Sequence, residues 1–183
     1  MSYQYRPLVD LQELTDFRCG IDKMDEFIHN GLADSVNNNY CRPYGVYDDN
    51  GEIVAFFAIG FDCLELGIEF KEDLRDGCAE TELPHVFGSP YGETFISKLH
   101  YPALEITYLA VRKDKQKNGI GEACVNLIIN MAKEQTFAGC IFITVDALIT
   151  PEYSAVGFYR KCHFTQAEDR KPYRETLRLY YAL

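Results

Sequence analysis

No stretch of the 183-residue chain approaches the ~18–20 consecutive apolar residues that a membrane-spanning helix needs. The opening MSYQYRPLVD has neither the apolar core of a signal peptide nor a basic leader, so a cytoplasmic location without membrane contact is the expectation. Paired cysteines are missing as well. The seven, Cys19, Cys41, Cys63, Cys78, Cys124, Cys140 and Cys162, are odd in number and contain no Cys-x-x-Cys, and His29, His85, His100 and His163 do not cluster with them. Disulfide frameworks and zinc ribbons need tight, paired spacing, so free, mostly buried thiols and no metal are expected. Disorder over most of the chain is excluded by a composition of 47% hydrophobic and 25% charged residues. The length suits one domain spanning residues 1–183.

Acid is what the chain has in excess, with a formal charge of −10. The excess is uneven: residues 1–111 hold 7 basic and 20 acidic side chains, net −13, whereas residues 112–183 hold 11 and 8, net +3. Arg112, Lys113, Lys115 and Lys117 crowd into one short segment against Asp114 alone. An acidic half attracts cations and repels nucleic acid, while a basic loop suits an anion.

Hydrophobic spacing orders the chain into elements. Ile21, Met24, Phe27, Ile28 and Leu32 predict one amphipathic helix of roughly four turns from Gly20–Asp22, ended by the tract Val36–Tyr40. Strands over Tyr44–Asp48 and Glu52–Phe61 flank the turn Asp48-Asp49-Asn50-Gly51, a hairpin signal. A short helix within Leu64–Asp76 and a long loop over Gly77–Tyr101 fill an insertion, 62–103, with no fixed structure assigned. Leu104–Val111 reads as an apolar strand, Ile120 to about Gln135 as a helix, Cys140–Asp146 as a buried strand, Ser154–Cys162 as a short helix and Thr176–Ala182 as a closing strand. Strands alternating with helices in this half imply an α/β sheet with a parallel pair at its centre.

Between strand and helix lies Gln116-Lys117-Asn118-Gly119-Ile120-Gly121. Glycines admit a ligand close to the backbone, and the first helical turn offers unpaired N–H groups to phosphate. Cations just before a helix N-terminus oppose its dipole, which makes better sense if an anion sits among them. The segment lacks the Gly-Lys-Ser/Thr of a P-loop and the third glycine of a dinucleotide fold.

The pattern resembles the GNAT family of acyl-CoA-dependent N-acetyltransferases, whose pyrophosphate loop reads Gln/Arg-x-x-Gly-x-Gly/Ala. A second segment agrees: Ala155-Val156-Gly157-Phe158-Tyr159-Arg160-Lys161-Cys162-His163-Phe164 is similar to the family's Ala-x-x-Phe/Leu-Tyr-x-x-x-Gly-Phe, with His163 where glycine is usual and Glu152 where an Asn often stands. The resemblance implies a mostly antiparallel mixed α/β sheet with flanking helices, splayed at a parallel strand pair. It further implies acetyl-CoA as cosubstrate, its pantetheine arm on the backbone of Leu109, Ala110 and Val111 and its pyrophosphate on Gln116, Lys117, Asn118, Gly119, Ile120 and Gly121. The amine would attack directly within a ternary complex, Tyr159 giving a proton to the leaving thiolate. Glu105, a carboxylate inside an apolar strand, is the candidate base. Asp146 is expected to play a structural hydrogen-bonding part, and Cys124 to pack.

Three functions compete. The acidic N-terminal part favours a small cationic amine or a basic peptide as acceptor, with nucleic acid not expected as a partner and a homodimer compatible with either. Gly20-Ile21-Asp22-Lys23-Met24-Asp25-Glu26-Phe27, Tyr101-Pro102 and Leu109-Ala110-Val111 look like segments of the GNAT toxins that acetylate aminoacyl-tRNA, the second reading. An idle acyl-CoA-binding regulatory module is the third.

Overall fold

Val54 to Ala58 are wholly excluded from solvent, five residues in succession, as expected of a strand covered on both faces. They belong to β3 (Ile53–Glu65) of a computed structural model that describes residues 3–65, 97–167 and 175–183. The other strands are β1 (Gln4–Pro7), β2 (Arg42–Tyr47), β4 (His100–Val111), β5 (Phe142–Leu148), β6 (Thr165–Gln166) and β7 (Thr176–Ala182). The described helices are α1 (Asp22–Asn30), α2 (Leu32–Asn37), α3 (Ile120–Glu134) and α4 (Val156–Lys161), with short 3-10 turns at Leu11–Leu14 and Lys113–Lys115. The strands form one sheet in the order β1-β2-β3-β4-β5-β7-β6. β4 and β5 run parallel, while β1 with β2, β2 with β3, and β7 with both β5 and β6 run antiparallel. The mixed sheet with a parallel pair is the one the sequence implies.

The described residues cluster into two units, Met1–Phe61 with Ile106–Ile128, and Asp62–Glu105 with Ile129–Leu183. In the first, Leu14, Phe17, Ile28, Leu32, Phe56 and Ala110 share a core in which Phe17 meets Phe56 edge-on at 5.6 Å. Each of the leucine, isoleucine and phenylalanine side chains contributes about 1.5–3 kcal/mol by leaving water. The expected hairpin is present: Asp48 N–H donates to Glu52 O (3.0 Å), and Gly51 turns it at φ +78°. In the second unit, Tyr101, Ala103, Phe142 and Tyr180 pack together, Phe142 edge-on to both tyrosines.

One expected helix is two. The chain breaks at Gly31, where a Cβ would stand 2.7 Å from the Phe27 ring. That ring stacks on Tyr108 at 3.6 Å, and the lack of a side chain at Gly31 is what lets the backbone pass so close to it at the break. The short helix expected within 64–76 lies outside the described residues except for Leu64 and Glu65, which end β3. Most of the loop expected over 77–101 does too. β4 begins at His100, before the expected Leu104. β1, β6 and the turn at Leu11–Leu14 have no counterpart in the sequence reading, being too short for a periodic signal.

Candidate active site

After Val111 the chain stays anchored: Arg112 N–H donates to Val54 O (2.8 Å). The loop then takes two left-handed steps, Lys117 at φ +64° and Gly119 at φ +76°, before α3 begins. A left-handed step ahead of a helical one aims successive N–H groups into one concavity, a nest that suits an anion. The first bond of α3 runs from Ala123 N–H to Gly119 O (3.0 Å), and the N–H groups before it have no intrahelical acceptor. No atom lies within 4 Å of where a Gly119 Cβ would stand, so its left-handed φ, with the open space beside it, is what favours glycine there. Ile120, Cys124 and Ile128 are buried on α3, as their helical spacing predicts; Val125 is buried beside them, whereas Ala123 of the same spacing is exposed. These residues fit a diphosphate.

The loop's first residue is held by its side chain, and one expectation about the loop changes. The Gln116 side chain faces protein, donating to Cys19 O (2.8 Å) and Val111 O (3.1 Å), so its backbone is what remains for a ligand. The basic cluster is also less basic than it reads. Arg112 binds Asp114 (2.7 Å) and Glu52 (3.2 Å), and Lys115 sits 3.5 Å from Asp48, which leaves Lys113 and Lys117 without a carboxylate among the described residues. Leu109 and Val111 are half-buried on β4, and Ala110 is packed in the core.

In the second unit three carboxylates meet one guanidinium. The Glu105↔Thr144 and Asp146↔Arg178 registers bring β4, β5 and β7 together, and β3 adds Asp62. Arg178 donates from Nη2 to Asp62 Oδ2 and from Nη1 to Asp146 Oδ1 (3.3 Å), with Glu105 Oε1 at 3.6 Å from Nη1. Thr144 Oγ1 also donates to Asp62. The side chains of Asp62, Arg178 and Glu105 are 19%, 23% and 27% exposed, so water screens the group only partly. Burial pushes the Glu105 carboxyl above the ordinary carboxylate range, Asp62 and Asp146 push the same way, and Arg178 opposes them. A carboxylate so raised is a better proton acceptor.

Tyr159 lies in α4, 5% exposed, with its ring edge-on to Phe158 (5.0 Å) and Phe164 (5.4 Å). His163 has φ +66°, so the position where relatives carry glycine is left-handed here as well. Asp146 is hydrogen-bonded, as expected. Cys124 is buried and its thiol is pushed up to about 12, which removes it as a nucleophile. Asp62, Thr144 and Arg178 were missed. The signal used for Glu105, a charge inside an apolar strand, also marks Asp62 after Val54–Phe61 and Arg178 between Leu177 and Leu179.

A profile of the acetyltransferase (GNAT) family matches residues 8–164. This chain is a GNAT acetyltransferase. It is therefore an acyl-CoA-dependent N-acetyltransferase. No curated protein matches it. Among solved structures it is similar to a mutant of KacT, with TM-score 0.70, 19% identity, and 100% of this chain and 95% of that one covered. It is also similar to AtaT complexed with acetyl-methionyl-tRNAfMet, at TM-score 0.66, 18% identity, 99% and 95% coverage. A mutant of the AtaT toxin bound to the C-terminus of the antitoxin AtaR and acetyl-CoA matches at TM-score 0.66, 16% identity, 100% and 94% coverage.

One expectation is corrected by these findings. Structures similar to this chain are solved with a tRNA and with an antitoxin, which overturns the expectation of a small amine or basic peptide without nucleic acid as the partner. The physical reason is visible in the first unit. Glu13 pairs with Arg6 (3.0 Å), Glu52 and Asp114 with Arg112, Asp48 with Lys115, and Asp25 accepts backbone N–H groups. The net charge is unchanged by this pairing, but these carboxylates are engaged within the unit and are not free acidic surface.

Proposed function

We propose that this GNAT acetylates the α-amino group of an aminoacyl-tRNA, with acetyl-CoA as donor. The supporting observation is the match of the whole fold, from end to end, to a toxin solved with acetylated methionyl-tRNA. The segments Gly20–Phe27, Tyr101-Pro102 and Leu109–Val111 add to it. Chemistry favours the same acceptor. An α-amine has a pKa near ~7.7–8.0, against ~10.4 for a lysine side chain, so a carboxylate of raised pKa is base enough to deprotonate it.

Glu105 takes the proton from the ammonium, directly or through one water. The neutral nitrogen attacks the thioester carbonyl, a new C–N bond forms and the C–S bond breaks. The thiolate leaves with the proton of Tyr159, and the phenolate regains a proton, directly or through water, from the attacking nitrogen, which loses its second proton as it becomes the amide. Backbone N–H groups of residues 116–121 hold the diphosphate meanwhile, and the strand backbone at Leu109–Val111 takes the pantetheine arm. Acetyl-CoA supplies the activated acyl group.

The test is transfer of label from acetyl-CoA to a full set of charged tRNAs. The expected result is acid-precipitable label that appears only on charged tRNA and leaves as N-acetyl amino acid when the ester is hydrolysed. Free amines acetylated with no label on any charged tRNA would overturn the proposal. Replacing Tyr159 by Phe should lower the transfer rate about 10²-fold, the lower end for a general acid because a thiol leaves easily, with the Kd for acetyl-CoA unchanged. Equal rates when chemistry limits turnover would return Tyr159 to packing alone.

A further inference from the structure

The Gly20–Phe27 segment has no part in the chemistry above, yet its bonds run straight to the loop after β4. Asp25 in α1 reaches back with both carboxylate oxygens: Oδ1 accepts the N–H of Cys19 (2.7 Å) and Oδ2 that of Gly20 (3.0 Å). With those N–H groups held, the carbonyls of the same turn face the loop. Arg18 O accepts the N–H of Lys113 (2.9 Å), and Cys19 O accepts Gln116 Nε2 (2.8 Å). Gly20 stands at φ +82°, and a Cβ on it would lie 2.9 Å from Lys113 Cδ, so the lysine stem lies across the glycine.

We infer that Asp25 is a positioning residue for the donor's diphosphate, acting through the turn Arg18-Cys19-Gly20 on residues 113–116. This rests on reading 116–121 as the diphosphate loop. The loop needs such a brace. Its own internal bonds are few, Lys115 N–H to Arg112 O (2.8 Å) and Asn118 Nδ2 to Lys115 O (3.1 Å) among them. It also holds Lys117 in a left-handed conformation that costs a non-glycine residue about 1–2 kcal/mol. An anion site works by having its N–H groups aimed before the anion arrives, and a loop free to relax loses that aim. Asp25 is equipped to stay ionised: partial burial works against it, but the N–H donors of Cys19 and Gly20 and nearby Arg18 hold its carboxyl below the usual range.

The test compares two donors, acetyl-CoA and S-acetyl-pantetheine, which lacks the diphosphate, in Asp25→Asn and Gly20→Ala. Asparagine keeps the shape and loses one acceptor, while alanine strains the left-handed turn and crowds Lys113. The expected result is affinity for acetyl-CoA about 10-fold weaker and affinity for S-acetyl-pantetheine unchanged. Wild-type affinity for acetyl-CoA, or an equal loss for both ligands, would overturn the inference. If Asp25→Asn does not fold, Gly20→Ala decides by the same criteria. Gly121→Glu separates the two layers: if it too binds acetyl-CoA as wild type does, the loop reading fails. If it loses binding while the Asp25 and Gly20 variants keep it, only the brace fails.

Discussion

Glu105→Gln is expected to lower kcat/KM for the acceptor by about 10²–10⁴-fold, the usual loss for a general base, while the Kd for acetyl-CoA stays as in wild type. The amide is isosteric but cannot accept the proton. The wild-type profile should rise with pH on its acidic limb, since the carboxyl must be ionised to act. That limb should lie above the ordinary carboxylate range, because burial, Asp62 and Asp146 all favour the protonated form. Among the described residues Arg178 is the one cation in the group, 3.6 Å from Glu105. Arg178→Met therefore removes the influence that favours ionisation, and the acidic limb should move to still higher pH. Rates measured across pH in wild type and both variants check this. An acidic limb that does not move in Arg178→Met, or full activity in Glu105→Gln, would take the base role from Glu105.

Gly121→Glu should abolish acetyl-CoA binding, weakening it by more than ~10²-fold, while thermal stability holds or rises slightly. Gly121 is the second residue of α3, in the first turn, where a carboxylate favours the helix dipole by about 0.3–1 kcal/mol. The same carboxylate occupies the place of the diphosphate, competes for its N–H groups and repels its charge. Calorimetry with acetyl-CoA and a melting curve read the two effects separately. Retained binding would move the diphosphate away from this loop.

Much of this arrangement is legible in the chain because its signals are local. Ile120, Cys124 and Ile128 recur at helical spacing and all prove buried. The strand at Thr176–Ala182 and the hairpin at Asp48–Gly51 are set by residues within a few positions of each other. The break at Gly31 is not legible, since glycine within a helical pattern is tolerated. The close pass of the Gly31 backbone by the Phe27 ring, which stacks on Tyr108 far along the chain, is likewise visible only in the fold. Arg178 was passed over for a related reason. Its place between two leucines marks it locally as it does Glu105, but which carboxylates it meets follows only from the β5–β7 register, which places it opposite Asp146.

The sequence by itself determined the family and singled out the candidate diphosphate loop, because Gln116–Gly121 and Ala155–Phe164 keep their spacing along the chain and each forms within a single strand-to-helix or helix-to-strand connection. Glu105 too stands out from its neighbours alone. Only the tertiary structure decided which charges act. It paired Arg112 and Lys115 with carboxylates of the hairpin, gathered Asp62, Glu105 and Asp146 on Arg178, and turned Asp25 from an acidic surface residue into a backbone acceptor. Coulomb and hydrogen-bond energies fall off within a few ångströms, so they depend on strand register and turn geometry, and a count of charges along the chain carries neither.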